Sequence, residues 1–231
     1  QTWRVEPTGL NVAITKGAGQ FRAVGQTISI AYAKRIRSQI EQSITRLSSK
    51  QAKAKIAEVY GSVTEERAGS KSPLRIVVVS SLAGGTGAGL LLSVCDIVRA
   101  LGTEAGDDIF GVLYTPEVFH SLGGASTGGV QPNSLAAISE LLNGYWWNGA
   151  ANTNTGDVLV DPKESAAMVR AGLPQALTRS GPSFPFLVGR VGQGGIDHGE
   201  PRDIFQMVGR SLLSWVTDVK VQKEFIAFNI G

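Results

Sequence analysis

Residues 80–89, SSLAGGTGAG, place four glycines within six positions, between a run of β-branched residues and a run of leucines. A strand, a glycine-rich turn and a helix start in this order leave backbone N–H groups unpaired at the positive end of the helix dipole, which favours an anion. Glycine lets the backbone approach phosphate oxygens closely, and the Thr86 hydroxyl can bind a phosphate or a metal-bound water. The segment therefore predicts a phosphate site.

Two common nucleotide-binding loops do not match this segment. A P-loop needs G-x-x-x-x-G-K-[ST], but no lysine lies between Arg75 and the end of the following helix. A dinucleotide fingerprint, G-x-G-x-x-G, does not fit the spacing of Gly85, Gly87 and Gly89, and no acidic residue that could hold a ribose is evident at the end of the next strand. A glycine-rich turn that only lets a helix pack on a strand remains the alternative.

Three stretches of the chain resemble one protein family. AGGTGAG, residues 83–89, resembles the tubulin/FtsZ signature G-G-G-T-G-[ST]-G, with alanine at its first and sixth positions. GAGQFRAVGQ, residues 17–26, resembles the family's other phosphate-side loop, and VQPN, residues 130–133, resembles its proline-containing ribose loop, with Gln131 where tubulins have a glutamate. The resemblance is closest to divergent, tubulin-like domains of large bacterial proteins.

The resemblance implies a GTP-binding domain, a GTPase that assembles head to tail into an oligomer or filament in a bacterial cytoplasm. The residues implied to bind GTP or GDP with Mg²⁺ are Gly17, Ala18, Gly19, Gln20, Ala83, Gly84, Gly85, Thr86, Gly87, Ala88, Gly89 and Gln131. The implied partners are guanine nucleotide, further copies of the chain, and other proteins through flanking regions, whereas no membrane span and no nucleic acid are expected. The alternative is a scaffold domain that keeps the fold and has lost hydrolysis.

Parts of the family pattern have no match here. The family's first glycine loop has no counterpart before Gly17, so we expect a partial domain, residues 1–231, that lacks the first strand and the first phosphate loop and ends at or just after the central helix. In DIFQMVGR, residues 203–210, Gly209 and Arg210 stand where FtsZ has the amide and the carboxylate that hold the base. The resemblance therefore does not carry the side chains that hold guanine to these two positions.

No catalytic residue can be transferred from the family. Its GTPases use an acidic residue from the loop that follows the central helix of the next protomer, and this chain offers only TDVKVQKEF at that place. Asp218 and Glu224 lie there, but they match no motif, and exposed carboxylates are typical of an ordinary protein surface.

Hydrolase and metal chemistry are weakly supported. GASTG, residues 124–128, fits G-x-S-x-G, and Ser126, Asp161 and His198 follow the chain order of an α/β-hydrolase triad. However, a nucleophile elbow joins a strand directly to a helix, whereas Ser126 lies roughly a dozen residues beyond the preceding strand. The two histidines and the single cysteine form no zinc set, which needs three or four convergent ligands.

The glycine-rich segment requires a strand before it and a helix after it, and the sequence supplies both. Ile76–Val79 form a continuous β-branched run, typical of a parallel strand that is buried on both faces. Residues 90–101 have the apolar spacing of an amphipathic helix, with Asp96 and Arg99 on the outer side. Ile109–Tyr114 form a second strand after a connection long enough for a parallel crossover. These elements predict a βαβ unit.

Further elements complete an α/β fold. We predict a helix at residues 27–60 and another that begins at Ser134 and ends near Gly144. We also predict a third strand at FPFLVGR, with Pro185 at an edge or a strand start, and a last long helix that begins near Pro201. The fold class is a Rossmann-like, mostly parallel sheet flanked by helices, of the tubulin/FtsZ GTPase-domain type.

The composition is that of a globular α/β protein. Charged residues make up 18%, and the net charge of +3 is too small to indicate a nucleic-acid binder by itself. One cysteine excludes an internal disulfide. The helix at 27–60 has a basic outer face, which is either solvated or faces an anionic partner. The residues expected to face inward from this helix are Ile28, Ile36, Ile40, Ile44 and Leu47.

Overall fold

A computed structural model describes residues 17–63, 74–102, 108–121, 128–146, 166–173, 180–218, 220, 221, 223 and 224. The helices are α1 (Arg22–Ala31), α2 (Ala33–Ser48), α3 (Lys50–Val63), α4 (Gly85–Ala100), α5 (Val130–Trp146), α6 (Ala166–Ala171) and α7 (Pro201–Thr217). The strands are β1 (Ile76–Ser81), β2 (Ile109–Tyr114) and β3 (Phe184–Val188). Two short 3₁₀ turns lie at Pro116–Phe119 and Gln193–Gly195.

The described strands form a parallel sheet in the order β1, β2, β3. Ile76 lies opposite Ile109, and Phe110 lies opposite Phe184. β1, α4 and β2 form the predicted βαβ unit, so the predicted mixed α/β fold with a parallel sheet flanked by helices is confirmed. Because parallel strands end at one edge, the turns that lead into α4, α5 and α7 all start from the same side of the sheet.

Helices cover both faces of the central strand, β2. On one face, α4 and α5 enclose an apolar cluster in which Leu91, Cys95 and Leu113 are buried. On the other face lies α7, whose Trp215 ring meets Phe110 edge-on at a centroid distance of 4.9 Å. The prediction that β1 is buried on both faces is wrong for Val79, which is 50% exposed, because these contacts of α7 are with β2 and not with β1.

The long helix predicted at residues 27–60 is three helices. Breaks fall at Tyr32 and at Ser49, whose backbone is extended. Ile36 and Ile40 pack on the protein body, as predicted. The prediction that Leu47 faces inward is wrong, since its side chain is 39% exposed. The reason is that this end of α2 extends beyond the elements on which Ile36 and Ile40 pack.

The prediction that Asp96 and Arg99 lie on an outer face of α4 is also wrong. Asp96 is 2% exposed because residues 180–183 cover this side of the helix. Its carboxylate accepts hydrogen bonds from the Ser180 hydroxyl at 2.7 Å and from the Gly181 N–H at 3.1 Å. Burial raises the pKa of Asp96 to about 6, although these two hydrogen bonds and Arg99 oppose the shift. The site is therefore a buried polar link between α4 and the segment that enters β3.

Among the described residues, no helix combines the length and the apolar character needed to cross a membrane.

Candidate functional site

The two glycine-rich stretches predicted to hold phosphate meet at the edge of the sheet where the strands end. We call residues 17–20 the first glycine loop and residues 83–89 the second glycine segment. The Ala18 N–H donates to Thr86 Oγ1 at 2.9 Å, and the Gly85 N–H donates to the Gly19 carbonyl at 2.8 Å. These residues are far apart in the sequence, and the hydrogen bonds fix the two stretches against each other.

Open hydrogen-bond donors remain at the first turn of α4. Gly84 is the N-cap and offers no side chain to cap the helix. Within the part of the chain that the structure describes, the N–H groups of Thr86 and Gly87 have no hydrogen-bond partner. The Thr86 side chain is exposed beside them. Unpaired N–H groups at a helix N-terminus, with the positive end of the dipole behind them, are suited to an anion.

Not every backbone N–H group that was predicted to bind phosphate is free to do so. The Gly85 N–H is used by Gly19, and the Ala88 N–H donates to the Gly84 carbonyl at 3.0 Å. Ala18, Ala83, Ala88 and Gly89 are buried, whereas Gly19 and Thr86 are exposed. The donors left open in the second segment, among the described residues, are therefore the N–H groups of Gly84, Thr86 and Gly87, of which Thr86 is exposed and the two glycines are half-buried.

Several glycines of this region are required by close helix packing. A Cβ at Gly85 would lie 2.6 Å from the backbone nitrogen of Phe21, and one at Gly89 would lie 2.6 Å from the Arg22 carbonyl oxygen. A Cβ at Gly25 of α1 would lie 2.1 Å from the Gly85 carbonyl oxygen. The start of α4 is thus in backbone contact with α1, and the second glycine segment serves packing as well as an exposed site.

Asn133, in the first turns of α5, ties both glycine stretches together. Its buried amide nitrogen donates to the Gln20 carbonyl at 2.7 Å and to the Ala83 carbonyl at 3.2 Å. The Gly129 N–H donates to Gln20 Oε1 at 2.5 Å, which adds a second link to the first glycine loop. Gln131, the residue predicted from the ribose-loop resemblance, is exposed at the start of the same helix.

The resemblance at VQPN does not identify the role of Asn133. A local pattern cannot reveal it, because the two carbonyl oxygens it binds come from positions 20 and 83. The usable signal is an asparagine in the apolar half of an amphipathic helix, since a buried amide needs hydrogen-bond partners.

Arg22 forms a further brace behind the two stretches. Its guanidinium pairs with Glu140 of α5, and its Nε donates to the Ala88 carbonyl of α4 at 3.2 Å. Burial raises the pKa of Glu140, and the charge of Arg22 and its hydrogen bond oppose this shift. The three helices α1, α4 and α5 are thus joined by charged and polar contacts directly behind the candidate site.

Aromatic side chains lie at the end of β2, near the start of α7. Phe205 is 42% exposed, and its ring meets Tyr114 edge-on with centroids 4.9 Å apart. Phe119 lies 6.2 Å from Phe205 by centroid distance. An exposed aromatic face at this edge of the sheet is able to stack on a planar group.

A cleft of about 980 Å³ lies between β3 and α7. Phe110 and Phe186 line its floor, and Asp203 and Arg210 stand on its α7 wall. None of the residues predicted to bind phosphate lines this cleft. It is therefore separate from the two glycine stretches, and Arg210 faces it while Phe205 does not.

The alternative chemistries gain no support from the described residues. Ser126 and Asp161 of the hydrolase motif lie outside them. His198 belongs to the loop between β3 and α7, where its backbone N–H donates to the Arg190 carbonyl at 3.0 Å. Among the described residues, no group of three or more His, Cys, Asp or Glu side chains could hold a metal ion.

The predicted central helix is α7, and the acidic residues that follow it, Asp218 and Glu224, lie at its C-terminal end. Asp218 Oδ1 accepts the N–H groups of Lys220 and Val221 at 2.8 and 3.3 Å, and Glu224 lies 3.9 Å from the Lys220 ammonium. α7 starts near Tyr114, where the strands end, and its 17 residues extend about 25 Å toward the opposite edge. Neither carboxylate can reach the glycine stretches of the same chain.

A family model described as tubulin-like matches residues 1–227 of the 231 in the chain. No curated protein and no solved structure matches the chain. The family match includes both glycine stretches, the start of α5 and the whole of α7.

Proposed function

This chain belongs to the tubulin-like family, and on that premise we propose that it is a GTP-binding domain in which the two glycine stretches hold the phosphates. The observation that carries the proposal is the pair of open N–H groups, of Thr86 and Gly87, beside an exposed hydroxyl and against the first glycine loop. Phosphate oxygens are the acceptors that such a helix N-terminus favours.

The Thr86 hydroxyl has a defined part in this proposal. Its oxygen accepts the Ala18 N–H at 2.9 Å, which fixes the side chain and leaves the hydroxyl proton free to donate to a phosphate oxygen or to a water on Mg²⁺. When bound, Mg²⁺ neutralises phosphate charge. Since the described residues contain no cluster of three acidic, His or Cys ligands, the chain would contribute to the metal through this hydroxyl and through the bound phosphates.

The base would lie against the start of α7. The exposed ring of Phe205 offers a stacking surface there, supported edge-on by Tyr114. The resemblance predicts guanine, but Gly209 and Arg210 replace the amide and carboxylate of FtsZ, and Arg210 faces the separate cleft. We therefore propose a guanine nucleotide whose base is held mainly by stacking, with weaker discrimination against adenine than an amide and carboxylate would give.

Hydrolysis would require a second copy of the chain. The two glycine stretches lie at one edge of the sheet, and Asp218 and Glu224 lie at the far end of α7. A head-to-tail contact would bring the far end of one copy to the phosphates of the next, where a carboxylate can act as a general base toward water. This arrangement is the proposed route to a GTPase.

A second candidate is a scaffold domain that binds nucleotide without hydrolysing it. It is favoured by the contacts that the two carboxylates already make within the chain. Asp218 accepts two backbone N–H groups, and Glu224 faces the Lys220 ammonium. A carboxylate that is already engaged by groups of its own chain has fewer lone pairs left to accept a proton from water.

The binding proposal is tested by titrating the chain with GTP and Mg²⁺ in an isothermal calorimeter. We expect a Kd of about 1–100 μM for the unaltered chain. Thr86→Val should weaken binding about 10- to 100-fold, because it removes a hydrogen bond to a charged group. Thr86→Ser should bind as the unaltered chain does, and Thr217→Val, a matched change at the far end of α7, should have no effect. Equal affinity in the Thr86→Val variant and the unaltered chain would refute the phosphate assignment.

The two functions are separated by phosphate release measured over a range of protein concentrations. A GTPase completed by a neighbour should show turnover per chain that rises with concentration. Binding of GTP by calorimetry with no phosphate release at any concentration, under conditions where the chain assembles, would favour the scaffold. ATP as a competitor in the same assay measures the discrimination between the two bases.

A further inference from the structure

The end of α2 and the whole of α3 project from the body of the protein. We call residues 44–61 the basic arm. No described residue of this arm is buried, and neither apolar cluster of the protein includes any of it. The only extensive contact of α3 with another described element is with α2. The arm therefore contributes little to the core, and its side chains are presented to whatever lies outside.

The arm carries a concentration of positive charge. Arg46, Lys50, Lys53 and Lys55 are exposed, and Glu58 is its only acidic residue. None of these four basic side chains has an ion-pair partner among the described residues. By contrast, Arg37, closer to the body, is paired with Glu41 at 2.9 Å. Lys34 and Arg35, at the start of α2, are likewise exposed and have no ion-pair partner among the described residues, so unpaired positive charge extends along α2 and α3 and continues onto the part that projects.

Aliphatic side chains accompany this charge. Ile56 and Val59 are 51% and 56% exposed, and because they are three residues apart they share one face of α3. Lys53 precedes Ile56 by three positions and Lys55 precedes Val59 by four, so the two lysines flank that face on either side. Lysines placed in this way can lay their stems along an apolar surface and keep their ammonium groups at its boundary.

We propose that the basic arm binds the surface of a bilayer that contains anionic lipid, with Ile56 and Val59 entering the headgroup region and the flanking lysines contacting lipid phosphates. A helix of this composition lies in the plane of the interface and does not span it. Nucleic acid fits less well, because its phosphates would use the lysines but leave the aliphatic face in water. The proposal is independent of nucleotide binding, since among the described residues no hydrogen bond or ion pair joins the arm to the glycine stretches.

Ser49 supports this geometry. Its extended backbone separates α2 from α3, and its hydroxyl accepts the Ala52 N–H at 3.1 Å, which starts α3 as a separate helix. α3 can therefore lie along a surface at an angle to α2. The lysines at positions 50, 53 and 55 all belong to this second helix.

The test is co-sedimentation of the 231-residue chain with vesicles of phosphatidylcholine that contain about 30% phosphatidylglycerol, compared with vesicles of phosphatidylcholine alone. We expect at least tenfold tighter binding to the anionic vesicles in about 0.05 M salt and release in about 0.5 M salt. Lys50→Gln, Lys53→Gln and Lys55→Gln together should weaken binding about 100-fold.

The matched control removes the same charge from α7 and the residues after it. Arg202→Gln, Lys220→Gln and Lys223→Gln together should change binding less than threefold. Equal losses in the two triple variants would overturn the proposal, because they would show an effect of net charge alone. Equal binding to both kinds of vesicle, or no binding to either, would overturn it as well.

A second pair of variants tests the aliphatic face. Ile56→Gln with Val59→Gln should weaken vesicle binding, whereas Ile56→Leu with Val59→Leu should preserve it, with helix content checked by circular dichroism in both. Competition with a short DNA duplex separates nucleic acid from lipid as the partner. If the duplex displaced the chain from anionic vesicles at a lower concentration than added free lipid did, the membrane assignment would be overturned in favour of nucleic acid.

Discussion

In the first glycine loop, Gly17 and Gly19 have φ angles of 88° and 55°, which side chains rarely adopt. In the second glycine segment no glycine has a positive φ. There, a Cβ at Gly85 or Gly89 would lie 2.6 Å from backbone atoms of residues 21 and 22. The first loop uses glycine for its backbone freedom, and the second uses it for the absence of a side chain.

This difference changes how a glycine-rich motif is interpreted. A motif such as AGGTGAG is usually taken to expose backbone N–H groups to a ligand, yet the N–H of Gly85 is bonded inside the protein and Gly89 is buried against α1. The first turn at Thr86 and Gly87 keeps the open donors. Close packing of α1 on α4 brings the first glycine loop to those donors, so the geometry of the candidate site depends on this packing.

The largest expected effect comes from Gly85→Ala. Its Cβ would meet the backbone of Phe21, which is not the flexible end of a side chain, so the two helices must separate. We expect the free energy of unfolding, measured by urea denaturation, to fall by about 3 kcal/mol or more. Gly61→Ala is the control, because no atom lies within 4 Å of its Cβ position, and it should stabilise the chain by roughly 0.5–1 kcal/mol. A small loss in Gly85→Ala would show that α1 and α4 pack less closely than described.

An intermediate effect is expected from Asn133→Ala. It leaves the carbonyls of Gln20 and Ala83 without the amide donor they share, at a cost of about 2 kcal/mol. Asn133→Asp should lose as much, since a carboxylate cannot donate. Gln131→Ala, a change at an exposed position two residues away, should alter stability by less than about 0.5 kcal/mol. Equal stability of the Asn133→Ala and Gln131→Ala variants would mean that the amide does not join the two glycine stretches.

The smallest effect on stability is expected from Gly19→Ala. Its Cβ position is open, so the cost is that of a positive φ alone, about 1 kcal/mol. Gly19→Asn should cost less than Gly19→Ala, because asparagine tolerates this region of the backbone map better. If Gly19→Ala destabilised the chain as much as Gly85→Ala, the contrast between conformation and close packing would fail.

Local patterns predicted most of the elements. The runs at Ile76 and Ile109 and the helix start at Pro201 were recognised because strand and helix periodicities are carried by neighbouring residues. The same reasoning failed at Asp96, where a polar residue on a helix is normally exposed. Ser180 and Gly181, more than eighty positions away, supply the hydrogen bonds that make its burial tolerable. A local window contains no information about such partners.

The candidate site divides in the same way. Thr86 and the glycines on either side of it are predicted from residue type and spacing, because the residues that form an anion site at a helix start are neighbours in the sequence. Asn133 and the brace from Arg22 to Glu140 were missed, because each joins elements that are adjacent only after folding.

The sequence by itself determined where a strand, a glycine-rich turn and a helix follow one another, and it determined the family, since these features are properties of contiguous residues. The tertiary structure decided which of the glycine N–H groups stay open. It did so because the Gly19 carbonyl of the first glycine loop accepts the Gly85 N–H and the packing of α1 on α4 buries Gly89, whereas Thr86 stays exposed and Gly87 only half-buried on the first turn of α4.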